Sequence, residues 1–281
     1  MRKPSHLIAA ALVSGAAILL GTNASRAEDI VWKQVQAIAR GKGLPQGVHG
    51  DIRGIELGDT YADAKAKIDA LRSEANAPEG DAKLKETETV FQLPTPHGSI
   101  TAAYVGKVQL EIRTTQPRGD DYITVRFSAP SSGHQVYSIE RLLIYSDQKD
   151  QPRISEVVGS LKKKLRADPL EIRGREGVTY RFQFDGGKAW ITNPQPFTAC
   201  SAVTSDTIEQ SRIASINDKG VCDVVFEMEA TYGISDDHIE SVWFRLTDND
   251  RMKANLTADF GFFQTYINEL RAKTGGSVPK L

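Results

Sequence analysis

Between Val108 and Leu246 the chain repeatedly alternates apolar and polar residues with a period of two, and this restricts its fold more than any other feature. "VQLEIRT" sets Val108, Leu110 and Ile112 against Gln109, Glu111 and Arg113. "ITVRF" does the same with Ile123, Val125 and Phe127, and "YRFQF" with Tyr180, Phe182 and Phe184. "VVFEMEA" and "VWFRL" repeat it with Val224, Phe226 and Met228, then Val242, Phe244 and Leu246. Successive strand side chains point to opposite faces, so each run predicts a strand with one buried and one wet face, as in antiparallel sheets. Gly106-Lys107 and "DGGK" at Asp185–Lys188 carry the residues of tight hairpin turns.

Three segments switch to helical spacing. In "GIELGDTYADAKAKIDAL", from Gly54 to Leu71, Thr60 and Asp63 form a capping box, and Tyr61, Ala64, Ile68 and Leu71 form one apolar stripe. A phosphate cradle would need several glycine amides with a lysine or hydroxyl at fixed spacing, and that pattern does not occur here. A second stripe, Ile154, Val157, Val158, Leu161 and Leu165, lies between Pro152 and Pro169. A third, Leu256, Phe260, Phe263, Ile267 and Leu270, runs up to Gly275-Gly276. The pattern as a whole predicts an α+β fold, antiparallel sheets with a few packed helices. "SIERLLIYSD" and "HIESVWFRLTD" echo one another ahead of the last two helices, which suggests two related modules.

The organisation expected along the 281 residues is a signal peptide (1–27), a lead-in helix and linker (28–53), an N-terminal α+β module (54–130) and a C-terminal α+β module (131–281). Arg2 and Lys3 precede an apolar run, Leu7–Leu20, and small residues at Ser25 and Ala27 suit cleavage between Ala27 and Glu28. The run is shorter than the roughly 20 residues of a spanning helix, so no transmembrane segment is expected after cleavage. "IVWKQVQAIAR" reads as a short amphipathic helix, and four glycines and Pro45 within 41–50 read as a linker outside the folded core. Cleavage would remove Arg2, Lys3 and Arg26, leaving 32 basic against 36 acidic side chains. That acidic balance argues against nucleic acid as a partner. The only two cysteines, Cys200 and Cys222, lie in the exported part, where an isolated pair predicts one disulfide.

Candidate chemistry is sparse. His49, His97 and His134 each touch a glycine in expected turns, while His238 in "SDDHIE" has Asp236 and Asp237 beside it. Mixed N/O ligation or an imidazole base could use that grouping, but a polar turn before a strand explains it more simply. "DNDRMKANLTAD" lacks the glycine and final glutamate of a calcium loop. "RGD" at Arg118–Asp120 is a three-letter coincidence. Lys162, Lys163, Lys164 and Arg166 suit a helix C-terminus or an anionic contact. Trp190, Phe197, Trp243 and Phe244 cluster around the cysteines, and any that face water would mark a binding surface. No catalytic, metal or cofactor-binding residue is assigned.

"GIELGDTYADAKAKI" resembles the opening of small exported modules of the BamE/SmpA and β-lactamase-inhibitor-like type. "IERLLIYSDQKDQPRISEVVGSLKKKL" is similar to a segment of exported proteobacterial proteins, with "LRADP" where those usually read "KYG-x-P". The chain lacks the lipid-carrying cysteine of BamE. The resemblance implies one or two helices packed on an antiparallel sheet and a non-catalytic interaction module, and it transfers no site residue. The expectation is a periplasmic or secreted protein, without cofactor, that binds another protein or an envelope component. The alternatives are an exported hydrolase with a carboxylate-based site and a secreted enzyme inhibitor presenting a hairpin.

Overall fold

The structure, a computed structural model, describes residues 30–37, 43–75, 81–95, 98–115, 118–189 and 222–274. Two short strands, β1 (Asp51–Ile52) and β2 (Ile55–Glu56), pair ahead of helix α1 (Tyr61–Glu74). A meander follows: β3 (Ala82–Thr95), β4 (Gly98–Thr115), β5 (Arg118–Phe127) and β6 (Val136–Tyr145). Helix α2 (Ile154–Leu165) opens a second run of β7 (Leu170–Arg173), β8 (Gly177–Asp185), β9 (Lys188–Ala189), β10 (Val224–Tyr232) and β11 (Ile239–Asp248). Helix α3 spans Asn249–Thr274. The fold is α+β. Strands β3 to β11 make one nine-stranded antiparallel sheet in the order β3-β4-β5-β6-β11-β10-β8-β7, with β9 paired to β8.

That order is two-fold in pattern. Each half supplies a helix and then four principal strands, and the last strands of the halves, β6 and β11, meet antiparallel from Ser138↔Thr247 to Ile144↔Ser241. The expected division at 130/131 falls between β5 and β6, which are hydrogen-bonded neighbours. Helices α1 and α2 bury Ala64, Ile68, Leu71 and Ile154, Val158, Leu161, Leu165 against the same face of the sheet. Thr60 caps α1 by accepting from the Asp63 amide at 3.2 Å. The alternating runs supply the other side of the core through Leu110, Ile123, Val125, Phe182, Phe226 and Val242.

Two local expectations are corrected. Gly106-Lys107 does not turn the chain but lies inside β4. Thr87 pairs Lys107 and Glu88 pairs Val105, so Gly106 is the extra residue of a bulge. A Cβ there would come within 2.0 Å of Thr89 Oγ1, so only glycine lets the strands close. The "DGGK" turn does form a hairpin, with Asp185↔Lys188 paired and Gly186 and Gly187 at φ 55° and 74°.

The second correction concerns the lead-in. Ile30–Ala37 contains no helix. Ile30 is buried and Trp32 packs on Phe262 and Phe263 with ring centroids 5.5 Å apart in both cases, while Val31 and Lys33 are exposed. Residues 33–37 are all exposed, so the segment is held at Ile30 and Trp32, and the aromatic anchor outweighs helical propensity. Leu44, Val48 and Ile52 of the expected linker belong to the main core.

Helix α3 buries Leu256, Phe263 and Ile267 of the expected stripe, together with a polar side that apolar spacing does not reveal. Arg251, Asn255 and Asp259, successive turns of one side, are all buried. The Arg251 Nε donates to Asp248 at 3.0 Å and its Nη1 to Gln135 Oε1 at 3.2 Å, and its guanidinium lies against Gly58. Asp259 accepts from the Ser131 hydroxyl at 2.6 Å and the Ala129 amide at 3.2 Å. Burial pushes the Asp259 carboxyl up to about 6, against the opposing pull of these donors. Burial pushes Asp248 up to about 6 as well, against the pull of Arg251.

Removing residues 1–53 strips Leu44, Val48 and Ile52 from the core, so the truncated chain is expected to lose several kcal/mol. A cooperative thermal melt at the wild-type midpoint would contradict this. Asp259 gives a second expectation. Its folded pKa lies above the ordinary aspartate value of 3.8, so its contribution is fully present below that value and fades as pH rises through about 6. Stability is expected to rise as pH falls from 7.5 to 5. Asp259→Asn is expected to flatten that slope by about 1.4 kcal/mol over the window, read by denaturant titration at each pH.

Candidate functional site

The helices α1 and α2 occupy one face of the sheet, and the register aligns polar and aromatic residues in rows across the other. One row runs Arg181, Glu227, Arg245, Glu140 across β8, β10, β11 and β6, each directly opposite the next. The Arg181 Nε donates to Glu227 Oε1 at 2.7 Å, and the Arg245 Nη1 to Glu227 Oε2 at 3.1 Å. Glu140 lies 4.0 Å from Arg245 and 3.6 Å from Arg126 on β5. Five charges of alternating sign thus tie five neighbouring strands together. Glu227 is buried, so both of its oxygens are held by guanidinium groups where water does not reach them.

The adjacent row is of a different character. Glu229 on β10, Trp243 on β11, Leu142 on β6, Tyr122 on β5 and Glu111 on β4 are directly opposite one another in turn. Trp243 remains 37% exposed, an unusual exposure for the centre of a nine-stranded sheet. The Arg245 guanidinium lies 4.2 Å from its ring centroid, so a residue of the charged row fixes the indole from beneath. Half-buried Leu142 and Tyr122 extend the apolar stripe over three strands, and Ile144 widens it. The Tyr122 hydroxyl donates to Asp120 at 3.3 Å. The result is an aromatic-aliphatic patch on a sheet cross-linked by ion pairs, with acidic groups at its margin.

Other sequence candidates resolve into structural roles. Asp237 accepts from the Ser155 amide and hydroxyl, both at 3.1 Å, and so caps α2 from the β10–β11 turn. His238 Nδ1 pairs with the Ser235 hydroxyl at 2.7 Å. His134 stacks on Tyr61 at 4.7 Å with Nε2 2.8 Å from the Val105 carbonyl oxygen, and burial lowers its pKa. His49 is exposed. Lys162 and Lys164 pair with Asp168 and Asp51, both at 2.9 Å. "DNDRMKANLTAD" is the end of β11 and the start of α3, and Arg118–Asp120 opens β5. Phe244 packs on the helical side, opposite Trp243. Cys222 is buried just ahead of β10. Cys200, Trp190, Phe197, His97, Ala27 and Glu28 lie outside the described residues.

Among the described residues no cluster of three or more His, Cys, Asp or Glu side chains could hold a metal, and no helix is long and apolar enough to cross a membrane. No protein family, curated protein or solved structure matches the chain.

The two rows are invisible to a search for contiguous motifs because their members come from four or five strands. The usable signal is the polar half of each alternating run: arginine or glutamate in "YRFQF", "VVFEMEA", "VWFRL" and "SIERLL". Glu227→Ala would leave Arg181 facing an empty partner position, and the expected loss is about 3 kcal/mol in denaturant-monitored stability. The paired replacement Arg181→Met with Glu227→Leu is expected to recover most of that loss. A neutral Glu227→Ala would show that the charged row holds nothing together.

Proposed function

We propose that this protein is exported and binds another protein or an envelope component, without catalysis, through the sheet face around Trp243. The observation that carries the reading is an exposed tryptophan in the middle of a sheet, clamped by Arg245 and continued by Leu142 and Tyr122. Tryptophan, tyrosine and arginine are the residues in which interface energy concentrates, above all where a rigid scaffold removes the ordering cost. The arginines and glutamates beneath are engaged with one another, which suits a preorganised support. Two α+β4 runs joined in one sheet accord with the resemblance to inhibitor-like exported modules. The amino-terminal signal pattern and the acidic balance support periplasmic or secreted localisation. A Cys200–Cys222 disulfide belongs to the same proposal, supported by the burial of Cys222 beside the sheet.

A photo-crosslinking residue at Thr179, on β8 directly opposite Glu229, tests the reading. In envelope extracts it is expected to give one dominant adduct, which Trp243→Ala removes and which the same probe at Lys163 on α2 does not give. An adduct pattern indifferent to Trp243→Ala would contradict it.

A further inference from the structure

Resting on that reading of the Trp243 face, we infer that its partner presents an extended segment with two basic side chains flanking an apolar one, on the pattern basic–x–apolar–x–basic. Most charges at the patch are already engaged. Arg245 is bound to Glu227 and Glu140, and Arg113 donates from Nε to Glu111 at 3.2 Å. On the acidic side, exposed Glu229 has no ion pair among the described residues, and Asp120 has only the Tyr122 hydroxyl. Arg113 stands opposite Asp120 in the ladder, but its Nε is turned to Glu111. Cations at the margin are therefore committed, while two anions remain available.

Position makes these two anions a recognition element. Glu229 sits on β10 and Asp120 on β5, with Trp243, Leu142 and Tyr122 between them. Three strand spacings across and two residues along place their backbones about 16 Å apart. An extended segment places residues i and i+4 about 13 Å apart on one side, with i+2 between them, and lysine or arginine stems easily cover the difference. The central side chain would then lie on the Trp243–Leu142–Tyr122 stripe, and each cation would meet a carboxylate at either end. Such an arrangement adds specificity and association rate to the apolar anchor.

Two fluorescein-labelled peptides, Gly-Lys-Thr-Trp-Thr-Lys-Gly and its counterpart with glutamate at both lysine positions, test this by anisotropy on the purified protein. The lysine peptide is expected to bind about tenfold tighter at low ionic strength, and the gap is expected to shrink at high salt as screening grows. The double variant Asp120→Asn with Glu229→Gln is expected to erase the preference while moving the thermal midpoint by no more than a few degrees, because Glu229 is exposed and half-buried Asp120 keeps, as asparagine, an oxygen that can accept from Tyr122. Trp243→Ala is expected to weaken both peptides. Equal affinity, a preference for glutamate, no binding of either peptide, or a lysine preference that survives the double variant would each overturn the inference. The crosslink from Thr179 in envelope extracts keeps both carboxylates and reads the binding face independently of peptide charge, so failure here is distinguishable from failure of that reading.

Discussion

The pairing of β6 with β11 is the interaction on which the rest of the structure depends. It joins two four-stranded runs, each opened by a helix, into one sheet. Without this seam, α1 and α2 would cover two small sheets with separate cores. With it, Ile139 and Leu246 sit side by side beneath both helices. The register of the seam also decides the chemistry of the other face. It puts Trp243 beside Leu142 and Arg245 beside Glu140. A slip of one residue would exchange the faces, sending the tryptophan and the arginine into the core. Apolar burial on one face and ion pairing on the other therefore specify the same alignment.

The second organising element is the docking of α3 against the Ser128–Gln135 loop. This contact uses buried polar groups where an apolar stripe would have been simpler. Arg251, Asp248 and Gln135 satisfy one another, and Asp259 receives hydroxyl and amide donors from the loop. Polar contacts of this kind fix one orientation, since few alternative placements satisfy every group. Further along, Phe262 and Phe263 meet Trp32 of the amino-terminal segment and Phe91 of β3. The segment ahead of the first strand is thus part of the architecture. Its tryptophan ties the middle of α3 to the β3–β4 pair.

Strand positions were legible because alternation is a direct consequence of strand geometry, and the runs at Val108, Ile123, Tyr180, Val224 and Val242 all lie in strands. The cap at Thr60 and the turn at Gly186-Gly187 were legible because each depends on local backbone chemistry. Gly106 was misread for a related reason: a glycine in a strand pattern fits a turn or a bulge, and only the partner strand decides. Thr89 on β3 decides here. The amino-terminal segment misled because "IVWKQVQAIAR" fits a helical stripe, whereas Trp32 gains more from an aromatic pocket built by residues far away in sequence. The apolar stripe of α3 was legible through Leu256, Phe263 and Ile267, whereas its buried polar side was missed because Arg251, Asn255 and Asp259 look like solvent residues in the sequence. The Trp243 row shows the same limit at the candidate site, since each residue was visible while their adjacency belongs to the register.

Amide hydrogen exchange across the seam reads whether the β6–β11 pairing holds the two halves as one unit. If β6 and β11 hold one sheet together, the backbone amides of Ser138–Ile144 and Ser241–Thr247 that pair across it exchange only through global unfolding. They would be among the slowest in the molecule and would respond to denaturant together with those of β5 and β10. Fast exchange along these strands, or two groups of amides released by separate unfolding of the halves, would contradict the account.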